Sequence, residues 1–268
     1  MDTTGRDPSS NDASHNPFQA PRSRVADPIP ENSGVLLEKP NRNDAGRGWT
    51  WLSEGWGLFK EAPGTWIGIV VVMLLLGIVL NLIPFVNLLF SLAYPVLFGG
   101  LMLGCRSLEQ GQGLAFGHLF AGFQSRFATL LLVGLLYLLG SAVIGFGVFA
   151  VALGASGAVG FLSGTPPEAP DLMVLLLAVL VMMALLVPVM MAVWFAPALV
   201  VFHDKGALEA MGLSFRGCLR NIMPFLVYGI AGMVLGFLAT IPLALGWLIL
   251  MPVFIGSTYK AYKDIFIA

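Results

Sequence analysis

Ser156, His203, Asp204, Cys105 and Cys218 are the residues whose types could support catalysis or metal binding, and their spacing decides what each can do. Ser156 stands in Gly154-Ala155-Ser156-Gly157, a short glycine-flanked setting compatible with an intramembrane nucleophile. A serine nucleophile needs a general base within hydrogen-bond reach. The histidines are His15, His118 and His203, and all three lie outside the apolar part of the chain around Ser156. A flexible Gly/Ser loop is therefore the better reading. His203-Asp204 has no second histidine at the spacing a zinc site uses, so Asp204 is read as the N-cap of a helix starting near Gly206. Cys105 and Cys218 stand singly, without zinc or haem spacing, and no glycine-rich phosphate loop occurs. No catalytic residue, cofactor or metal ligand is expected, and the chain reads as non-enzymatic.

Two other sets of residues carry more information. Pro95, Pro188, Pro197 and Pro252 interrupt long apolar runs, where each removes an intrahelical hydrogen bond and crowds the preceding turn. In a membrane the freed carbonyl needs another donor, and Tyr94, Ser91 and Trp194 are the local candidates. These prolines are expected as helix kinks. The second set comprises Trp49, Trp56, Phe59, Phe123 and Phe215, aromatic residues on amphipathic stretches and expected as anchors at the headgroup boundary.

The elements that must position them follow from hydropathy. The chain is 57% hydrophobic and 11% charged, with mean hydropathy +0.85, whereas a soluble domain carries ~25% charged residues. Six apolar runs, about 65–83, 85–104, 127–153, 172–201, 223–240 and 243–259, approach the ~20 residues needed to cross a ~30 Å hydrocarbon core. They are continuous rather than alternating, which favours helices over a β-barrel. With six crossings, all 14 Lys and Arg fall on one face, and Glu168 and Asp171 on the other. Basic residues resist translocation, so both termini are expected on the cytoplasmic face of the membrane. Cys105 and Cys218 then lie in a reducing compartment. No secretory h-region precedes residue 48, so the first run is expected to serve as an uncleaved anchor. Residues 1–48 are expected to be a disordered cytoplasmic tail, and 49–268 the membrane domain. Net charge is −1, which argues against nucleic acid as a partner.

The runs pair off. Trp49, Leu52, Trp56 and Phe59 share a helical face ahead of the first run. Phe120, Phe123 and Phe127 form a stripe ahead of the third, and Leu208, Met211, Phe215 and Leu219 ahead of the fifth. The second member of each pair carries a proline mark: Pro95-Val96-Leu97-Phe98-Gly99-Gly100, Pro197-Ala198-Leu199-Val200-Val201-Phe202 and Pro252-Val253-Phe254-Ile255-Gly256-Ser257. This predicts an all-α membrane protein of six transmembrane helices in three hairpins, each preceded by a cytoplasmic amphipathic helix. The outer loop Gly154–Asp171 enlarges the middle copy. Gly64/Gly68, Gly100/Gly104 and Gly232/Gly236 are small-residue pairs expected to pack helices within the molecule first, and between copies second.

Several strings also carry a family likeness: Trp56-Gly57-Leu58-Phe59-Lys60 with Pro63 and Trp66; Gly99-Gly100 ahead of Arg106-Ser107-Leu108-Glu109; Trp194-Phe195-Ala196-Pro197-Ala198-Leu199-Val200; Glu209-Ala210-Met211 with Ser214-Phe215; and Tyr259-Lys260-Ala261-Tyr262-Lys263-Asp264-Ile265-Phe266. Together, over roughly 50–268, they resemble an uncharacterised proteobacterial family of six-helix inner-membrane proteins, the BPSS-type family. The organisation is also distantly similar to the membrane domain attached to some bacterial glycerophosphodiester phosphodiesterases. The resemblance implies location and architecture and brings no catalytic residues. The expected partners are membrane lipids, together with a membrane-protein partner or a second copy. The expected role is packing against lipid or protein. The alternative is a transporter or flippase-like carrier of a lipid or hydrophobic solute, built around the proline-broken helices.

Overall fold

The computed structural model describes residues 34–82, 86–163 and 172–268, and Val35–Ala268 form one unit. Residues 1–33 of the tail, the turn Ile83-Pro84, the side chain of Ser156, and Glu168 and Asp171 lie outside the described residues. The chain runs through α1 (Arg47–Glu61), α2 (Pro63–Asn81) and α3 (Val86–Glu109) to a 3-10 turn (Phe116–Phe120). It continues through α4 (Ala121–Gln124), α5 (Phe127–Ser163), α6 (Leu172–Trp194), α7 (Ala196–His203), α8 (Ala207–Arg220), α9 (Ile222–Thr240) and α10 (Trp247–Phe266). Among the described residues the one β-bridge joins Leu36 to Ile267.

Five stretches are long and apolar enough to cross a membrane: Pro63–Leu80, Ser91–Glu109, Phe127–Gly154, Leu172–His203 and Ile222–Thr240. The sixth expected run, 243–259, behaves differently. Its first residues form a turn in which Leu243 and Ala244 take positive φ, and α10 starts only at Trp247. Lys260, Lys263 and Asp264 occupy the last two turns of α10, so its continuous apolar part is shorter than a full crossing.

Other boundaries move for equally local reasons. The outer loop expected from Gly154 starts later, because α5 continues to Ser163; at 37 residues this helix is ~55 Å long. The stripe at Phe120, Phe123 and Phe127 does not form one amphipathic helix, since a 3-10 turn and the four-residue α4 hold it. Asp204 does not cap α8. It ends α7 in the left-handed region with φ 54°, and Gly206 occupies the α8 N-cap. The described part of the tail pairs with the C-terminus: the Leu37 amide donates to Phe266 O at 2.9 Å, and Ala268 N to Val35 O at 3.1 Å.

Burial is concentrated at the charged end of the bundle. Trp51, Trp66, Phe195, Tyr262 and Phe266 are among the largest fully buried side chains. By contrast α6 buries no residue at all. The span in α3 is 61% buried and those in α2, α5 and α9 are 17% buried, which makes α3 the central helix. The lipid-like exteriors of α2, α5, α6 and α9 need no protein cover in hydrocarbon. The layer outside hydrocarbon must hide its apolar faces from water, and that is where a conventional core forms.

Candidate functional site

The four expected kink prolines are used in three ways. Pro188 sits exposed inside α6, while Pro95 and Pro252 are buried inside unbroken α3 and α10. Pro197 falls in the first turn of α7, and the chain bends at Phe195 between α6 and α7. A side chain from a distant helix repairs this break. Phe195 N donates to Ser214 Oγ at 3.0 Å, and Ser214 Oγ donates to Met191 O at 2.7 Å. Cys218 Sγ also reaches Met191 O, at 3.6 Å. Ser214 is fully buried. The hydroxyl thus takes the place of the Phe195-to-Met191 bond that a continuous helix would have made. The donor to Met191 O comes from α8.

The other two proline helices are met by glycine. A Cβ on Gly55 would lie 2.5 Å from Val253 O and 2.6 Å from Ser257 N, so α1 touches the backbone of α10 there. A Cβ on Gly122 would overlap Val96 O and crowd Gly100 N. Val96 and Gly100 follow Pro95 by one and five residues, and Val253 and Ser257 follow Pro252 at the same offsets. Two separate amphipathic segments therefore seat a glycine on the same turn of two separate proline helices. Gly100/Gly104 pack against the segment holding His118, and Gly232/Gly236 against Phe254 and Trp247, all within the molecule; Gly64 faces open space.

Between these helices lies a cavity of about 920 Å³. Its wall is drawn from α3, α5, α6, α7, α9 and α10, and includes Pro95 and Pro197. Among its lining residues there is no Asp, Glu, Lys, Arg or His. Several of its polar groups are already satisfied within the protein. Trp247 Nε1 donates to Thr240 Oγ1 at 3.0 Å, Thr240 Oγ1 to Gly236 O at 2.8 Å, and Thr258 Oγ1 to Phe254 O at 2.8 Å. Tyr228 and Ser257 share a hydroxyl pair at 2.8 Å. Met233 and Phe237 on the rim remain mostly exposed, so the cavity opens laterally along α9.

At the charged end a polar lattice ties the helices together. Glu109 closes α3 and accepts from Lys260 at 2.6 Å, Lys263 at 2.8 Å and Tyr259 at 2.7 Å. Asp264 accepts from Arg47 Nε at 2.6 Å and Trp51 Nε1 at 2.7 Å. Asn221, fully buried, donates to Asn41 O and Gly217 O and accepts from Asn43 N, so it holds the segment ahead of α1 against α8. Arg126 and Asp204, both at positive φ, form an ion pair that links the start of α5 to the end of α7. His203 Nε2 is within hydrogen-bond reach of the Tyr262 hydroxyl.

The expected anchors divide. Trp49, Trp56 and Phe123 are exposed and Phe215 is half-buried, whereas Phe59 is only 6% exposed and faces the core. Gly48, Trp51, Leu52, Gly55, Leu58 and Phe59 form the inward stripe of α1, which leaves the indoles of Trp49 and Trp56 outside. The sequence assigned no role to Glu109, Ser214 or Asp264, which entered only through the family likeness, and Asn221 was passed over. The signal available for Glu109 and Asp264 was their place among lysines and arginines at helix ends. Ser214 and Asn221 carried none.

Cys218 is buried on α8, and burial pushes its thiol up to about 12. The folded-state value lies above the ordinary one, so the thiol stays protonated throughout the neutral range. A maleimide is expected to leave Cys218 unmodified at pH 7.5 in folded protein and to label it after denaturation, as read by mass spectrometry. Rapid labelling of Cys218 under native conditions would show that α8 does not cover it.

These features define an all-helical integral membrane protein with a cavity among proline-bearing helices and a charged, tightly packed base. Sequence comparison places it more narrowly. Over 195 residues the chain is 31% identical to a probable inner membrane protein of Burkholderia thailandensis, covering 68% of this chain and 71% of that protein. The chain belongs to the same family of inner-membrane proteins. No family model matches it, and no solved structure does.

Proposed function

We propose that this protein is a carrier that binds a lipid or other hydrophobic solute within the inner membrane. The cavity of about 920 Å³, walled by apolar residues from three proline-bearing helical segments, is the observation that carries the reading. Solute sites in membrane carriers form where helices are broken near membrane depth. A solid core among α3, α6 with α7, and α10 would have left packing against lipid or protein as the better account.

The architecture we propose is three hairpins in one orientation, α2 with α3, α5 with α6 and α7, and α9 with α10, giving six crossings. The equivalent seating of Gly55 and Gly122 after Pro252 and Pro95 supports the repeat. The Trp247–Thr240 bond places the start of α10 beside the end of α9, which supports α10 as a returning helix. The charged base is then cytoplasmic with both termini, following the positive-inside bias. The exposed Trp49, Trp56 and Phe123 face the headgroups, and a partner protein or second copy docks on the lipid-facing helices. The role is non-enzymatic, and the distant likeness to a phosphodiesterase membrane domain adds no chemistry.

Protein purified from native inner membranes is expected to retain one hydrophobic compound in stoichiometric amount, detected by solvent extraction and mass spectrometry. Recovery of only bulk phospholipids, in the proportions of the membrane itself, would remove the carrier reading. Reporters fused after Ser163 and after Arg216 are expected on opposite sides, and a same-side result would dismantle the proposed crossings.

A further inference from the structure

The polar groups of the cavity wall are not all satisfied, and the exceptions say what the ligand looks like. Of the two indoles in the wall, Trp247 has its acceptor in Thr240. Trp194 Nε1 finds no acceptor among the described residues, although its ring is held edge-on by Phe225 at 6.2 Å and Tyr228 at 6.5 Å. The Tyr94 hydroxyl likewise has no partner among the described residues, and its ring stacks on Phe98 at 6.0 Å. Tyr137 reaches only the thioether of Met190, at 3.9 Å. An indole N–H can only donate, and a phenol donates readily. The wall therefore offers donors in fixed positions, with no charge of either sign among the lining residues.

We infer that the cavity binds an uncharged lipid whose hydrocarbon fills the apolar wall and whose carbonyl oxygens accept from Trp194 and Tyr94. This rests on the carrier reading and names its ligand class. A phosphate or ammonium head placed among these residues would be stripped of water without a counter-charge, which is strongly unfavourable. A small polar metabolite would leave most of the wall uncovered. The volume lies near the top of the ~300–1,000 Å³ range of small-molecule sites, as a long-chain ligand requires. A diacylglycerol and an isoprenoid quinone share this chemistry, with long hydrocarbon chains and neutral carbonyl acceptors.

Gly229 gives the means to test the site without damaging the fold. It lines the cavity on α9, and a Cβ there would meet nothing within 4 Å, so Gly229→Leu adds bulk to the cavity and not to a packed interface. Full-length protein in detergent would be titrated separately with radiolabelled dioleoylglycerol, ubiquinone and dioleoylphosphatidylglycerol. One of the two neutral lipids is expected to bind saturably and to resist displacement by the phosphatidylglycerol. Trp194→Phe and Tyr94→Phe are each expected to weaken that binding about fivefold, the loss of one neutral hydrogen bond. Gly229→Leu is expected to abolish it while eluting as the wild type does. Equal or better binding of phosphatidylglycerol would overturn the neutral-lipid inference and leave the carrier reading standing. No saturable binding of any of the three lipids, or binding unchanged in Gly229→Leu, would overturn both.

Discussion

Gly55→Ala is expected to destabilise the protein by about 1–3 kcal/mol, although the same change in an ordinary helix interior stabilises by ~1 kcal/mol. The reason is the contact geometry. The new Cβ would sit 2.5 Å from Val253 O and 2.6 Å from Ser257 N, and both are backbone atoms of α10 that cannot rotate away. Relief requires α1 to lift from α10. That would open the inward stripe of Trp51, Leu52, Leu58 and Phe59 and strain the Arg47–Asp264 pair. Gly57 on the same helix supplies the control, because a Cβ there meets nothing within 4 Å. Thermal unfolding in detergent should separate the two variants, with Gly57→Ala at or above the wild type and Gly55→Ala well below. Equal midpoints would mean that α1 does not rest on α10 as described. Gly122→Ala should behave like Gly55→Ala, because it meets Val96 O at the equivalent turn of α3.

Ser214→Ala is expected to cost about 2–4 kcal/mol, through two consequences of removing one buried hydroxyl. Phe195 N loses its acceptor, and Met191 O keeps only the weak Cys218 thiol. A backbone shift that restored the Phe195–Met191 bond would bring the Pro197 ring against the carbonyl of Val193, so the two groups do not recover their partners at no cost. Trp194 adjoins the bend and lines the cavity, so loss of ligand binding is expected alongside loss of stability. Ser53→Ala, on the exposed side of α1, should change the midpoint little, within ~0.5 kcal/mol. If Ser214→Ala unfolded with the same midpoint as Ser53→Ala, the repair of the α6–α7 break would have to come from elsewhere.

The largest departures from the sequence expectations have a common cause. Trp49, Leu52, Trp56 and Phe59 do share one helical face, yet α1 buries Leu52 and Phe59 and leaves both tryptophans outside. Periodicity reports which residues lie on the same side of a helix, and says nothing of where a second helix presses against that side. Here Gly48 and Gly55 decide, because the backbones of α9 and α10 come against α1 at those positions, where a Cβ would not fit. Asp204 was legible as a helix-terminal residue but not as the end of α7, since its partner Arg126 lies 78 positions away. The sixth run read as a span by composition. The helix that holds it, α10, starts only at Trp247 and continues past the run into Lys260, Lys263 and Asp264, which bind Glu109 and Arg47 in the base.

Hydropathy and charge are local properties. Each apolar residue gains from hydrocarbon on its own account, so their sum along the chain already determines the helices and the membrane location. That each of the four prolines withholds a donor was legible for the same reason, since a missing N–H is a property of one residue, whereas the bend at Phe195 was not. The cavity, the donors in its wall that lack a partner among the described residues and the hydroxyl that repairs the α6–α7 bend are of another kind. Ser214 lies 23 positions from the carbonyl it serves, and the cavity is bounded by six helices drawn from Ser91 to Thr258. Such features exist only once distant segments have packed. Packing depends on the shapes that meet, which no single stretch of the chain encodes.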